Sequence, residues 1–145
     1  MSGGVNILRL DRAIPGLENL EQDLELYVGI PEGARNDRTG VNVADIAAWN
    51  EFGTKTITAR PAIRQTVDTY MDEYMEDLAD ALLSGLDPEQ ALNRLGEQIS
   101  SDISQSIRDW QQPPNAKSTI AKKGENNPLV DTETYAKSIG HWVKE

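Results

Sequence analysis

Six carboxylates, Asp68, Asp72, Glu73, Glu76, Asp77 and Asp80, recur along one stretch of this chain, and no lysine or arginine occurs between Arg64 and Arg94. At helical spacing they admit three uses. Carboxylates alone can hold magnesium or calcium, although here no Asp/Asn/Gly loop organises them. A row of them can form a negative surface that lines a channel or docks to a basic partner. They can also be nothing more than a solvated helix face. Same-sign pairs at i,i+4, such as Asp68/Asp72/Glu76/Asp80, each cost about a few tenths of a kcal/mol.

Other catalytic chemistry finds few residues to use. The chain has no cysteine, which excludes disulfides, thiolate catalysis and cysteine-ligated metal centres. Its one histidine, His141, sits beside Trp142 in a terminal strand pattern and reads as a packed or exposed strand residue rather than a base. Gly3-Gly4 and Gly29 lack the phosphate-loop and dinucleotide spacings. Paired carboxylates are common in any acidic protein, so their presence does not identify an acid–base pair. The expectation is a protein that is not an enzyme, with no cofactor and no metal.

The whole-chain balance fits that expectation. A domain of 145 residues is long enough to bury a core, but a hydrophobic content of 38% lies below the usual ~45–50%. A modest core suits a subunit that draws stability from its neighbours. The net charge is −10, which leaves too few Lys and Arg for the counterion release that drives nucleic-acid binding. No run approaches the ~18 apolar residues of a membrane span, and the N-terminus lacks a secretory pattern, so cytosolic synthesis is expected.

The elements that must position these residues follow from periodicity. Val5–Leu10 alternates weakly as a strand. Pro15-Gly16 breaks it, and Leu17, Leu20, Leu24 and Tyr27 recur at helical spacing. Leu26–Ile30 reads as a buried strand stopped by Pro31, followed by a flexible loop over 32–42. Val43, Ile46, Ala47 and Asn50 form one face of a short helix that Gly53 ends with a left-handed cap. Thr56–Ala59 reads as a brief strand before Arg60-Pro61. Ala62–Ser84 is the clearest helix, with a stripe of Ile63, Val67, Tyr70, Tyr74, Leu78 and Leu82. Asp87-Pro88 caps and restarts a second helix carrying Leu92, Leu95, Ile99, Ile103, Ile107 and Trp110, so the two form an antiparallel hairpin. Residues 111–131 read as an extended arm holding Lys117, Lys122 and Lys123, with one helical turn near Ser118–Lys122. A short helix over Thr132–Lys137 and a strand over Ser138–Lys144, with Ile139, His141 and Val143 on one face, complete the pattern. Aromatics are few, and Trp49 falls off the apolar face of its helix, as an interface residue does.

In order, VGIPEGA at Val28–Ala34, VADIAAWNEFGT, ARPAIR, LGEQISSDISQSIRDWQQPPNAKSTIAKKG and PLVDTETYAKSI at Pro128–Ile139 resemble the neck and minor tail proteins of tailed bacteriophages, variously called tail completion, head–tail joining or virion morphogenesis proteins. The resemblance spans about Leu24 to Val143. Two departures stand out: Arg60-Pro61-Ala62-Ile63-Arg64-Gln65 lacks the family's aromatic after Arg-Pro, and Asp131-Thr132-Glu133 lacks its glycine.

The resemblance implies one α+β domain over 1–145, a small mixed or antiparallel sheet packed on the long helix hairpin. It also implies a virion protein, made in the host cytoplasm, that forms a homo-oligomeric ring of six or twelve copies. The ring would sit at the head–tail junction or the head-proximal end of the tail, touching neck, connector or tail tube proteins, with DNA only passing through the lumen and no membrane. Alternatives are a tail terminator ring that sets tail length and a soluble acidic DNA mimic that inhibits a DNA-binding enzyme. The expected interface residues are Trp49, Glu51, Phe52 and Arg60, the basic arm Lys117/Lys122/Lys123, and the acids Asp72, Glu76 and Asp80 that the arm would meet on a neighbouring copy.

Overall fold

Leu26 and Val28 are fully buried and flank the half-buried Tyr27, an alternation that identifies a strand with one face on a core. In the computed structural model, which describes residues 6–9, 24–35, 40–110 and 133–145, this strand is β2 (Glu25–Gly29). It is the central strand of an antiparallel sheet, between β1 (Asn6–Arg9) and β3 (Gly140–Lys144). Register pairs Leu26 with Val143, Tyr27 with Trp142 and Val28 with His141. Directly opposed residues share a face, so Leu26, Val28, His141 and Val143 look one way and Tyr27 and Trp142 the other. The two rings stack with centroids 6.0 Å apart and planes 12° from parallel.

Among the described residues, four helices accompany the sheet: α1 (Val43–Phe52), α2 (Ala62–Leu83), α3 (Pro88–Asp109) and α4 (Glu133–Lys137). The fold is α+β, as expected, and its sheet is wholly antiparallel among the described strands. α2 and α3 form the helix hairpin, and α3 lies between α2 and the sheet. Leu95, Ile99, Ile103 and Ile107 give α3 a fully buried stripe, each residue contributing about 1.5–3 kcal/mol by its removal from water. The hairpin turn follows its sequence signals. The side chain of Asp87 accepts from the Gln90 N–H at 3.2 Å and Pro88 opens α3. Across the hairpin the Tyr74 hydroxyl donates to Asp102 at 2.6 Å. α4 is tied to α3 by Ser104, whose hydroxyl donates to the Ala136 carbonyl at 2.7 Å, and by the exposed Arg108–Glu133 pair at 3.0 Å. Glu133 is the first residue of this short helix.

Several expectations are corrected. Thr56–Ala59 is not a strand: the Thr54 hydroxyl accepts from the N–H groups of Thr56 and Ile57, and Thr54 N–H donates to Ile57 carbonyl at 2.8 Å, which folds the segment into a turn. Tyr70 leaves the core stripe and is 44% exposed. Tyr27 belongs to β2, and Leu24 precedes it outside any helix. The rest of the Leu17–Tyr27 helix pattern, the tip of the 32–42 loop at 36–39, and the 111–131 arm lie outside the described residues. The ends of that loop are joined by an Arg35–Asn42 bridge. Among the described residues, no helix is long and apolar enough to cross a membrane.

Gly96 sits mid-helix in α3, where glycine is costly, and the reason is His141. A methyl group built on Gly96 would lie 2.6 Å from the imidazole carbons and 2.9 Å from the His141 Cβ. In an open helix Gly→Ala gains about 1 kcal/mol. Here Gly96→Ala is expected to lose about 1–2 kcal/mol through overpacking, measured by thermal unfolding. In a His141→Ala background, which removes the imidazole but keeps the Cβ at 2.9 Å, the same substitution should cost less than in the native chain.

Candidate protein–protein interface

The corner between α1 and α2 gathers four of the residues singled out by sequence: Trp49, Glu51, Phe52 and Arg60. Asn42 opens α1 by accepting from the Ala44 N–H at 3.0 Å. Gly53 ends it at φ 73°, its N–H donating to the Trp49 carbonyl. A Cβ at Gly53 would come within 3.0 Å of the Ile57 carbonyl oxygen and 3.1 Å of the Ala59 nitrogen, so only glycine lets the following turn fold back this closely. The buried Asn50 amide donates to the Ile46 carbonyl at 2.8 Å, and its own carbonyl accepts from the Arg60 N–H. The chain is thereby returned to α1 just before α2 starts.

Glu51 holds the corner together. The N-cap of α2 is Pro61, which provides no side-chain acceptor, and the first turn of α2 carries no acid. The carboxylate of Glu51 takes both roles from the preceding helix. It accepts from the Ile63 N–H at 2.7 Å, the Arg64 N–H at 3.3 Å and the Arg64 side-chain Nε at 3.1 Å. The Arg64 guanidinium also donates to the Glu51 carbonyl, so side chain and backbone of one residue are clamped by the other. A negative group at the positive end of a helix is stabilising. Burial nevertheless pushes the Glu51 carboxyl above its ordinary value of 4.5, opposed by the bonds from Ile63 and Arg64. Tyr135 of α4 is wholly buried nearby, its hydroxyl without a partner among the described residues. Burial first, and the Glu51 charge second, push that phenol far up. Arg60 is half-buried, and desolvation lowers its guanidinium.

The placement of the other expected residues is uneven. Glu51, expected at an interface, is 0% exposed; its carboxylate is committed inside the chain because α2 has no cap of its own. Trp49 and Phe52 are 40% and 62% exposed. The Arg64 guanidinium carbon lies 5.1 Å from the Phe52 ring centroid, in cation–π range. Asp72, Glu76 and Asp80 lie exposed along α2, away from the corner. Lys117, Lys122 and Lys123 fall outside the described residues. Arg64 was missed as a site residue. Its signal was a glutamate ten residues upstream of a proline that starts a helix with no acid in its first turn.

Two grooves among the described residues have less claim. A groove of about 410 Å³ between α2 and α3 has Asp77, Asp80, Arg94 and Gln98 among its lining. A second, of about 330 Å³, includes Tyr70, Asp102 and Gln105. Neither contains a histidine. Among the described residues, no group of three or more His, Asp or Glu is placed to hold a metal ion. No family model matches the chain, and neither does a curated protein or a solved structure.

Two outcomes are expected at Glu51. Glu51→Ala leaves two backbone donors and the Arg64 side chain without their acceptor, costing about 1–3 kcal/mol in urea unfolding, and the isosteric Glu51→Gln costs less. The second outcome concerns pH. A carboxyl raised above 4.5 in the fold binds its proton more tightly folded than unfolded. Its contribution is therefore full below 4.5 and lost as pH rises through the raised value. The stability difference between the native chain and Glu51→Gln, followed across that window, should shrink as pH rises.

Proposed function

We propose that this chain is a structural subunit without turnover, one copy of a ring in the neck of a tailed phage that completes the tail and joins it to the DNA-filled head. The observation that carries the reading is the α1–α2 corner. There a protein of modest hydrophobicity spends a buried carboxylate, a clamped arginine and a glycine turn on holding two large aromatics at its surface. Aromatics with a stacked arginine are the residue types that anchor protein partners. A rigid support under exposed anchors lowers the entropy cost of docking. The resemblance of the sequence to phage neck and minor tail proteins supplies the setting, and the acid-lined α2 face would let DNA pass a lumen without adhering.

Electron microscopy of particles made without this gene tests the reading. Full heads and separate tails of normal length are expected. Overlong tails would make the protein a terminator ring, and intact virions would overturn the structural role in favour of an acidic inhibitor that mimics DNA.

A further inference from the structure

The α1–α2 corner leans basic in a chain of net charge −10: Lys55, Arg60 and Arg64 fall within ten residues that contain no acid, and against them stands only the buried Glu51, which pairs with Arg64. Trp49 and Phe52, three residues apart on α1, are neighbours on one helix face, with Arg64 against the Phe52 ring. The corner sits at the N-terminal end of α2. Beginning one turn further along, Asp68, Asp72, Glu73, Glu76, Asp77 and Asp80 are all exposed, with no base among them. Twenty-two residues make α2 about 33 Å long, so corner and stripe are displaced along one rigid rod.

We propose that the corner docks on the acidic stripe of α2 of a second copy of this chain. Two bodies of charge −10 repel, and association has to occur where that repulsion reverses. The basic corner is such a place, and the complementary surface it calls for is present on every copy as a helix-mounted row of carboxylates. Phe52 and Trp49 supply the apolar centre of the contact, and the exposed Lys55 the charge at its rim. Because the joined surfaces are unlike, each copy keeps one corner and one stripe available after the first contact. The arrangement therefore extends head to tail and closes where the rotation per copy allows. This deepens the ring reading and rests on it for the closure alone.

The test is sedimentation of the full chain with two variants at exposed positions: a corner variant, Phe52→Ala with Lys55→Glu, and a stripe variant, Glu73→Lys with Glu76→Lys. Arg64 is left intact because it clamps Glu51, and circular dichroism checks that both variants fold. The native chain should associate at about 0.1 M salt and dissociate by about 1 M, as the screening length falls from about 10 Å to about 3 Å. Each variant alone should associate about tenfold or more weakly, a loss of about 1.4 kcal/mol or more. Mixed, they should form a one-to-one pair that does not grow, since one corner and one stripe remain intact. A native chain that stays monomeric overturns the proposal. So do variants that associate as the native chain does, or a mixture that stays monomeric. The ring reading survives such a failure if particles made without the gene still show separate heads and tails.

Discussion

Helix α2 begins at a proline that has no side chain with which to accept a hydrogen bond, and its first turn contains no acid. The carboxylate that its N-terminus requires comes from Glu51, at the end of the previous helix, and it is wholly buried. The placement of every residue around the corner depends on this arrangement. It sets the angle between α1 and α2, positions Arg64 beneath Phe52, and buries Ala62 and Ile63 against the core. A buried carboxylate is costly unless its oxygens are satisfied, and here three donors from two adjacent residues satisfy them. The geometry of the segment between the helices, with its Gly53 turn and the Arg60–Asn50 backbone bond, serves to bring those donors to it.

On the other side of the molecule, α3 has to fit closely against the sheet. Gly96 removes a side chain where the imidazole of His141 enters, and the isoleucine stripe packs over Leu26 and Val28. The single histidine, expected as a strand residue rather than a base, is thus occupied in packing. Chemistry-bearing residue types elsewhere follow the same pattern: Tyr74 and Asp102 join the two hairpin helices, and Ser104 anchors α4.

The helices were legible because their signals are local. A period of 3.6, a glycine stop at residue 53 and the Asp87-Pro88 restart each act within one or two turns. The turn at Thr56–Ala59 was misread because its β-branched residues look like a strand, while the Thr54 hydroxyl, two positions earlier, captures their N–H groups. Tyr70 continues the apolar stripe by spacing alone, yet α3 does not reach far enough round α2 to cover it. The fate of Glu51 was hidden for a different reason. An acid near the end of an amphipathic helix reads as surface until the start of the next helix folds over it, and that closure is tertiary. Trp49 and Phe52, singled out by sequence, are exposed, whereas the arginine that braces Phe52 was not singled out.

The Tyr27–Trp142 stack joins strands from opposite ends of the described chain, whereas the α2–α3 hairpin joins immediate neighbours in sequence. Loop-closure entropy must be overcome before the first contact gains anything, and contacts between distant residues form slowly. By that rule the sequence-local α2–α3 hairpin is the faster part of the fold to form and the sequence-distant pairing of β2 with β3 the slower. While β3 is unpaired, the edge of β2 that it covers is open, and an open strand edge is a template for pairing with another chain.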